Sequence, residues 1–235
     1  MDWLTENWRD ILVAFGVTIE MCLLAGLICL VVGFFLAALR VSPIPLGRAV
    51  GGFYVRTVRN TPLLIVMTLF AFGLPELDIR PEFHVAGWFG SDSNSDLLNF
   101  NVFFVFASSA LGLYTAAFVC EAVRSGINSV PVGQAEAARS VGMTFTQTLR
   151  LVVLPQAFRV VVPPLASTLI AMTKNSSVAV GVGVTEAAFM MKKLTNDYSS
   201  QILAIFVGFA VGYMVLVALI ATSANALERR LAVAR

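Results

Sequence analysis

From Ile11 to Leu39 the chain meets one charged residue, Glu20. An uninterrupted apolar stretch of this length has one economical fate. It becomes a helix that crosses a bilayer, since a spanning helix needs roughly 20 apolar residues and a tilted one more. Two further stretches, 97–120 and 201–227, carry no charged residue. Composition agrees: 58% of residues are hydrophobic, 13% are charged and mean hydropathy is +0.84. A net charge of +2 argues for no nucleic-acid partner. Membrane lipid is the expected surround.

Five spans are predicted, at 11–39, 53–74, 97–120, 158–177 and 201–227, within a single domain covering 1–235. The second borrows the amphipathic GGFYVRTVRN, because its apolar part alone is too short. The segment 174–191 reads as re-entrant or broken. The connections alternate in sign. Arg40, Arg48, Arg56 and Arg59 lie after the first span, and Glu76, Asp78, Glu82, Asp92 and Asp96 oppose Arg80 after the second. Arg124, Arg139, Arg150 and Arg159 follow the third, and Arg229, Arg230 and Arg235 the fifth. Arginine-rich connections stay in the cytoplasm. The N-terminus is then outside and the C-terminus inside, with Trp3, Trp8 and Trp88 at outer boundaries. The N-terminal MDWLTENWRD lacks the basic start of a cleaved signal and is expected to be a retained anchor. Cys22, Cys29 and Cys120 sit in apolar runs and read as small packing residues. The acidic connection 75–96, with the lone His84, reads as a solvated loop.

One cytoplasmic passage interrupts the oil: SVPVGQAEAARSVGMT, Ser129 to Thr144. Pro131 suits a helix start, 131–141 holds good helix formers, and Gly142 stands where a left-handed residue ends a helix. Thr144 and Gln147 have the form of a capping box that starts a second helix, which Pro155 is expected to interrupt. Ala135, Ala137 and Ala138 make a small face, and Glu136 and Arg139 are spaced to pair. A helix without a large apolar face fits docking to a protein better than lying on lipid.

Charges at membrane depth are functional hypotheses. Lys174 is followed by Asn175, Ser176 and Ser177, four polar residues about 20 Å into the fourth span at 1.5 Å per residue. Irregular backbone there is tolerated where it is buried or lines a wet cavity. These residues therefore contact a charged substrate or form a helix break with a buried ion pair. Asn60 and Thr61, before Pro62, are placed on the same cavity. Glu20 either lines it or pairs with a neighbouring helix. No phosphate-cradling G-x-x-x-x-G-K-[ST] occurs, and no catalytic triad or metal spacing. The chain is expected to be no enzyme and to hold no cofactor.

Glu136-Ala137-Ala138, Gly142, Val152, Leu154 and Pro155 resemble the EAA-x3-G-x9-I-x-LP signature of ABC importer permeases, with Val152 in the place of Ile. VRNTPLL (Val58–Leu64), EAVRSGINSVPVGQAEAARSVGMT (Glu121–Thr144) and LPQAFRVVVPPL (Leu154–Leu165) are similar to the polar amino-acid (histidine, glutamate, glutamine, arginine) subfamily. RVSP (Arg40–Pro43), LIAMTKNSS (Leu169–Ser177) and GVGVTEA (Gly181–Ala187) resemble actinobacterial-type glutamate-uptake permeases. Ser167 departs from the subfamily's usual Asn. The resemblance implies an all-α type I ABC importer transmembrane domain in a bacterial cytoplasmic membrane. It implies a pore built with a second permease copy or a homologue, two ATPase subunits that bring ATP and Mg²⁺, and an extracytoplasmic solute-binding protein. The carried-over ATPase-coupling positions are Val132, Gly133, Gln134, Glu136, Ala137, Ala138, Arg139 and Gly142. Glutamate is the implied cargo, then glutamine or aspartate. Two other classes stay open at this point: an ion-coupled secondary transporter with Glu20 as its proton site, and a non-transporting membrane scaffold.

Overall fold

The computed structural model describes residues 2–79 and 102–231. The expectations for 80–101, including His84, Trp88 and most of the acidic connection, fall outside the described residues. Nine helices are described: α1 (Asp2–Val41), α2 (Pro45–Arg59), α3 (Leu63–Glu76), α4 (Val102–Asn128), α5 (Val132–Ser140), α6 (Phe145–Thr148), α7 (Leu154–Asn175), α8 (Ala187–Asp197) and α9 (Ile202–Leu231). Among the described residues four helical stretches are long and apolar enough to cross a bilayer, and the bent pair α2–α3 makes a fifth only when its two helices are counted as one span.

The central contact joins α1 and α4. Small residues let the two backbones meet, as is common between helices in lipid. A Cβ on Gly33 would lie 2.5 Å from Val119 Cγ1, and Ala107, Ala110, Ala116 and Ala117 are fully buried. Gly112 packs beside Ile28, Gly33 beside Val119, and Arg40 reaches Glu121. The two helices therefore run in the same direction, and the chain must cross back between them. It does so through α3, which follows Arg59 over the Phe118 ring and whose Phe72 ring lies 6.0 Å from that of Phe103 in a tilted pair.

The stretch expected as one span at 53–74 is divided. α2 and α3 meet at 105° across Asn60–Pro62, so GGFYVRTVRN belongs to a separate helix. Pro62 supplies no backbone donor and keeps Thr61 out of helical conformation, which breaks the ladder there. The first helix also differs from the expected 11–39, since it begins at Asp2 with a non-helical Asn7 (φ −116°) inside it. The Asn7 side chain donates to Trp3 O at 3.0 Å, a local bond that competes with the helix.

Pro155 does not interrupt its helix. A π-wound stretch, Leu149–Val153, precedes it, and Leu154 N–H bonds back to Leu149 O. The same device, Leu69–Gly73, precedes Pro75, with Leu74 N–H on Leu69 O. Widening one turn lets the chain pass a residue that cannot donate to the fourth carbonyl behind it.

The fourth crossing changes its winding along the helical run Phe145–Val182. α7 starts against α4, where a Cβ on Gly126 would meet Val161 Cγ2 at 2.1 Å. It rises to Met172 beside Gly26 and Cys29 of α1. A 3₁₀ turn, Ser176–Val182, follows, ending at Gly183 with φ 84°. α8 then continues along α1, from Glu186 at Thr18 to Tyr198 at Asn7. α9 returns, with Gly208 against Trp3 and Gly212 against Phe15. One end of the bundle thus carries Trp3 and Tyr198. The other carries Arg40, Glu121 and the α5–α6 unit.

Candidate functional site

The α5–α6 unit is built almost wholly from local bonds. Gly142 N–H donates to Arg139 O at 2.9 Å and Met143 N–H to Ala138 O at 3.2 Å. That pair of bonds is a Schellman closure, and it needs the left-handed φ of 91° at Gly142. Two residues later Thr144 Oγ1 accepts from Gln147 N–H at 3.3 Å, while Thr144 N–H donates to Gln147 Oε1 at 2.9 Å. The expected capping box is present and starts α6. The result is a stiff reversal held at the Arg40 end, packed on the π-wound stretch that leads into α7.

Val132, Gly133, Gln134, Glu136, Ala137, Arg139 and Gly142 are exposed on this unit. Ala138 is not: it is 7% exposed and turned toward its own chain, so it belongs to the footing of the unit rather than to its outer face. Glu136 and Arg139 are not paired with each other among the described residues. Arg139 lies over the Phe145 ring instead, 5.9 Å from its centroid, which ties α5 to α6.

The polar quartet sits where α7 gives way to the 3₁₀ turn. Ser176 is fully buried, and its Oγ donates to Thr173 O at 2.7 Å. Ser177 Oγ donates to Lys174 O at 2.8 Å. Both hydroxyls thus bond carbonyls of the last turn of α7. Lys174 is exposed on the surface of the single chain and Asn175 and Ser177 are half-buried, so Ser176 is the quartet's one buried member. Glu20 is half-buried on α1. Thr61 Oγ1 donates to Thr57 O at 2.9 Å, at the α2–α3 bend. Asn60 lines a polar cavity of about 400 Å³ with Arg40, Arg56, Arg59 and Glu121. The 3₁₀ turn and the start of α3 are close, since a Cβ on Gly181 would meet Leu64 Cδ1 at 2.9 Å.

Two charged constellations escaped the reading of the sequence. Glu186 is fully buried beside the break. Its carboxylate accepts from Ala188 N–H at 2.9 Å, Phe189 N–H at 3.2 Å and Tyr213 O–H at 2.9 Å, and Thr18 Oγ1 lies 3.4 Å away. Thr18 Oγ1 in turn accepts from Ala187 N–H at 3.1 Å. One side chain therefore caps α8 and fastens it to α1 and α9. The available signal was an acid placed directly before the helix-forming AAFMMKKL, an N-cap pattern. At the other end, Glu121 bonds Arg40, with Arg124 Nε at 3.5 Å and Arg59 Nη1 at 3.9 Å. Here the signal was an arginine excess on both sides of one acid, though nothing in the spacing says that three helices bring them together.

A bundle of helices long and apolar enough to cross a bilayer, with a capped reversal jutting from one end, is the form of a multi-pass membrane protein. Residues 29–233 match the family described as binding-protein-dependent transport system inner membrane component, and the chain belongs to that family. The "glutamate transport system permease protein GluC" of Corynebacterium efficiens is 41% identical, over 89% of this chain and 90% of that one. Its namesake in Corynebacterium glutamicum is 39% identical over 96% and 97% of the two chains. The "glutamate/aspartate import permease protein GltJ" of Escherichia coli K12 is 36% identical over 92% and 85%. Among solved structures, the crystal structure of an amino acid ABC transporter with histidines aligns at a TM-score of 0.80 and 26% identity, covering 98% of this chain and 99% of that one. The inward-facing MetNI methionine ABC transporter shares the fold, at a TM-score of 0.64, 20% identity and coverage of 96% and 95%. The chain is thus a multi-pass ABC permease subunit of a bacterial cytoplasmic membrane with the type I importer fold, and not itself an enzyme.

Proposed function

We propose that this chain is a pore subunit of an ATP-driven importer for a polar amino acid, glutamate before glutamine or aspartate. The observation that carries the reading is identity of 41% to a glutamate transport permease across nearly the full length of both chains. The Arg40 end then faces the cytoplasm, and the exposed α5 helix is the docking knob for an ATPase subunit, one on each of two permease chains. ATP and Mg²⁺ belong to those partners, and a solute-binding protein delivers cargo from outside. Approach of the two ATPases pushes the knobs together, and rigid-body rocking of the bundles opens the pore outward.

Local physics supports a knob of this kind. The Schellman closure and the capping box stiffen the reversal, so a push on α5 is passed to α7 rather than absorbed. Glu136 offers one charge on an otherwise small, exposed face. Lys174 and Asn175 stand at mid-crossing as the groups suited to a substrate carboxylate, with Glu20 and Thr61 as further candidates for the pathway.

The test is reconstitution of the chain with its ATPase and binding-protein partners in vesicles, with uptake read across an amino-acid panel. Glutamate uptake that requires ATP inside is expected; uptake without any ATPase would move the chain to the ion-coupled class. Glu136→Lys should lower ATPase co-purification by tenfold or more while leaving the permease in the membrane. Lys174→Met should abolish uptake with the complex still assembled, and normal uptake would remove Lys174 from the pathway.

A further inference from the structure

α2 presents three different faces, and only one is explained by the fold. Gly51 and Val55 are buried against the bundle, where Gly51 meets Arg40 and the α1 backbone. Leu46, Val50 and Phe53, spaced i, i+4 and i+7, form an apolar stripe exposed at 72%, 53% and 73%. Gly52, Arg56 and Arg59, again at helical spacing, line the polar cavity of about 400 Å³.

That cavity has a surplus of positive charge. Arg40, Arg59 and Arg124 all lie within 4.0 Å of the single carboxylate of Glu121, and Arg56 joins Arg40 and Arg59 at the cavity wall. Among the described residues no second carboxylate lines it or pairs with these arginines. One acid cannot neutralise the three guanidinium groups that line the cavity, so the cavity is suited to an added anion. Arginine's planar fork favours phosphate and carboxylate oxygens.

The neighbouring stripe decides between anions. A small free anion would satisfy the arginines and leave Leu46, Val50 and Phe53 uncovered. A molecule with an anionic head and apolar tails matches both faces of one helix at once. Such a helix, apolar on one side and basic on the next, is the form of an in-plane interfacial element. Basic pockets between membrane helices hold lipid headgroups by the same chemistry. We propose that the cavity under α2 binds the phosphate of an anionic phospholipid, whose acyl chains run along Leu46, Val50 and Phe53. The lipid would bridge α1, α2 and α4 at the Arg40 end, beside the 105° bend into α3.

The experiment uses the full chain in mild detergent, titrated with phosphatidylglycerol or phosphatidylcholine, with retained lipid read by native mass spectrometry. The wild-type chain should retain phosphatidylglycerol in preference. Arg56→Gln should cut that preference about fivefold, and Arg56→Gln with Arg59→Gln roughly thirtyfold. Arg56→Lys should keep most of it. Arg56 takes part in no ion pair with Glu121, so its single variant tests the site even should loss of Arg59 disturb the fold. Phe53→Ser keeps every arginine and should still weaken phosphatidylglycerol retention. Equal retention of the two lipids overturns the proposal, as does an unchanged preference in the arginine variants. Displacement of the lipid by inorganic phosphate or by glutamate at matching concentration overturns it too, by making the cavity a site for a free anion. None of these outcomes depends on which amino acid is carried.

Discussion

The two halves of the fourth crossing are held by different physics. α7, the half next to the α5–α6 unit, meets α4 in a close contact of small and apolar residues, Gly126, Ala157 and Val161. α8, the other half, is bolted by polar atoms. Glu186 ties it to Tyr213 and Thr18, and Tyr198 donates to Glu6 at 2.6 Å and accepts from Asn7 at 3.3 Å. In hydrocarbon a buried hydrogen bond fixes direction and register, because breaking it strands a polar group. A contact of small residues fixes distance but lets one helix slide along another. The Ser176–Val182 turn and Gly183 separate the two regimes. A displacement that enters through α5 therefore meets a half that can slide before it reaches a half that cannot.

The largest expected effect breaks this contrast on the bolted side. Glu186→Ala leaves the Tyr213 hydroxyl and the amides of Ala188 and Phe189 without their acceptor in a fully buried site. At about 1–3 kcal/mol for each stranded group, the chain should lose roughly 3 kcal/mol or more. Thermal unfolding of the detergent-solubilised chain measures this. A midpoint equal to the wild type would mean that the bonds are ornamental and the two halves alike.

On the sliding side a smaller loss is expected from Gly126→Val. The new Cβ would lie 2.1 Å from Val161 Cγ2, so α4 and α7 must separate, at about 1–3 kcal/mol for an overpacked contact. Because the contact is one of shape, Val161→Ala in the same chain should restore most of the stability. No apolar substitution should rescue Glu186→Ala in that way, and the two rescue experiments together sharpen the distinction.

Much of the α7 side was legible in advance, and little of the α8 side. The reversal at Gly142 and the box at Thr144–Gln147 depend on residues a few positions apart, so spacing alone specifies them. The change of winding at the end of α7 showed in Lys174-Asn175-Ser176-Ser177, because four polar residues are out of place in a lipid-facing helix. Glu186 was opaque for the opposite reason. Its partners lie 168 residues upstream at Thr18 and 27 downstream at Tyr213, and each looks ordinary where it stands. The 105° bend was also missed, although Pro62 marks its place: a proline says where a ladder fails but not the angle that results. Pro155 carried the same ambiguity and resolved the other way, through a π-wound turn that keeps the helix going.

The smallest expected effect concerns the stiffness of the reversal itself, and it uses one added methyl group at two places. Nothing lies within 4 Å of a Cβ on either Gly142 or Gly133, so neither substitution causes a clash. They differ in backbone: Gly142 has φ 91°, whereas Gly133 lies in the regular α5 helix. Gly142→Ala should therefore cost about 1–2 kcal/mol, the strain of a left-handed non-glycine residue. The cost falls on the local closure, so amide exchange at Met143 and the first residues of α6 should quicken by about five- to thirtyfold with global unfolding little changed. Gly133→Ala should slow exchange in α5, since alanine is favoured over glycine inside a helix by roughly 0.5–1 kcal/mol. A sliding half needs a stiff handle, so the two variants should also move ATPase-driven uptake in opposite directions. If both quicken exchange alike, the reversal is not held by its glycine, and the stiffness assigned to the α7 side of the crossing goes with it.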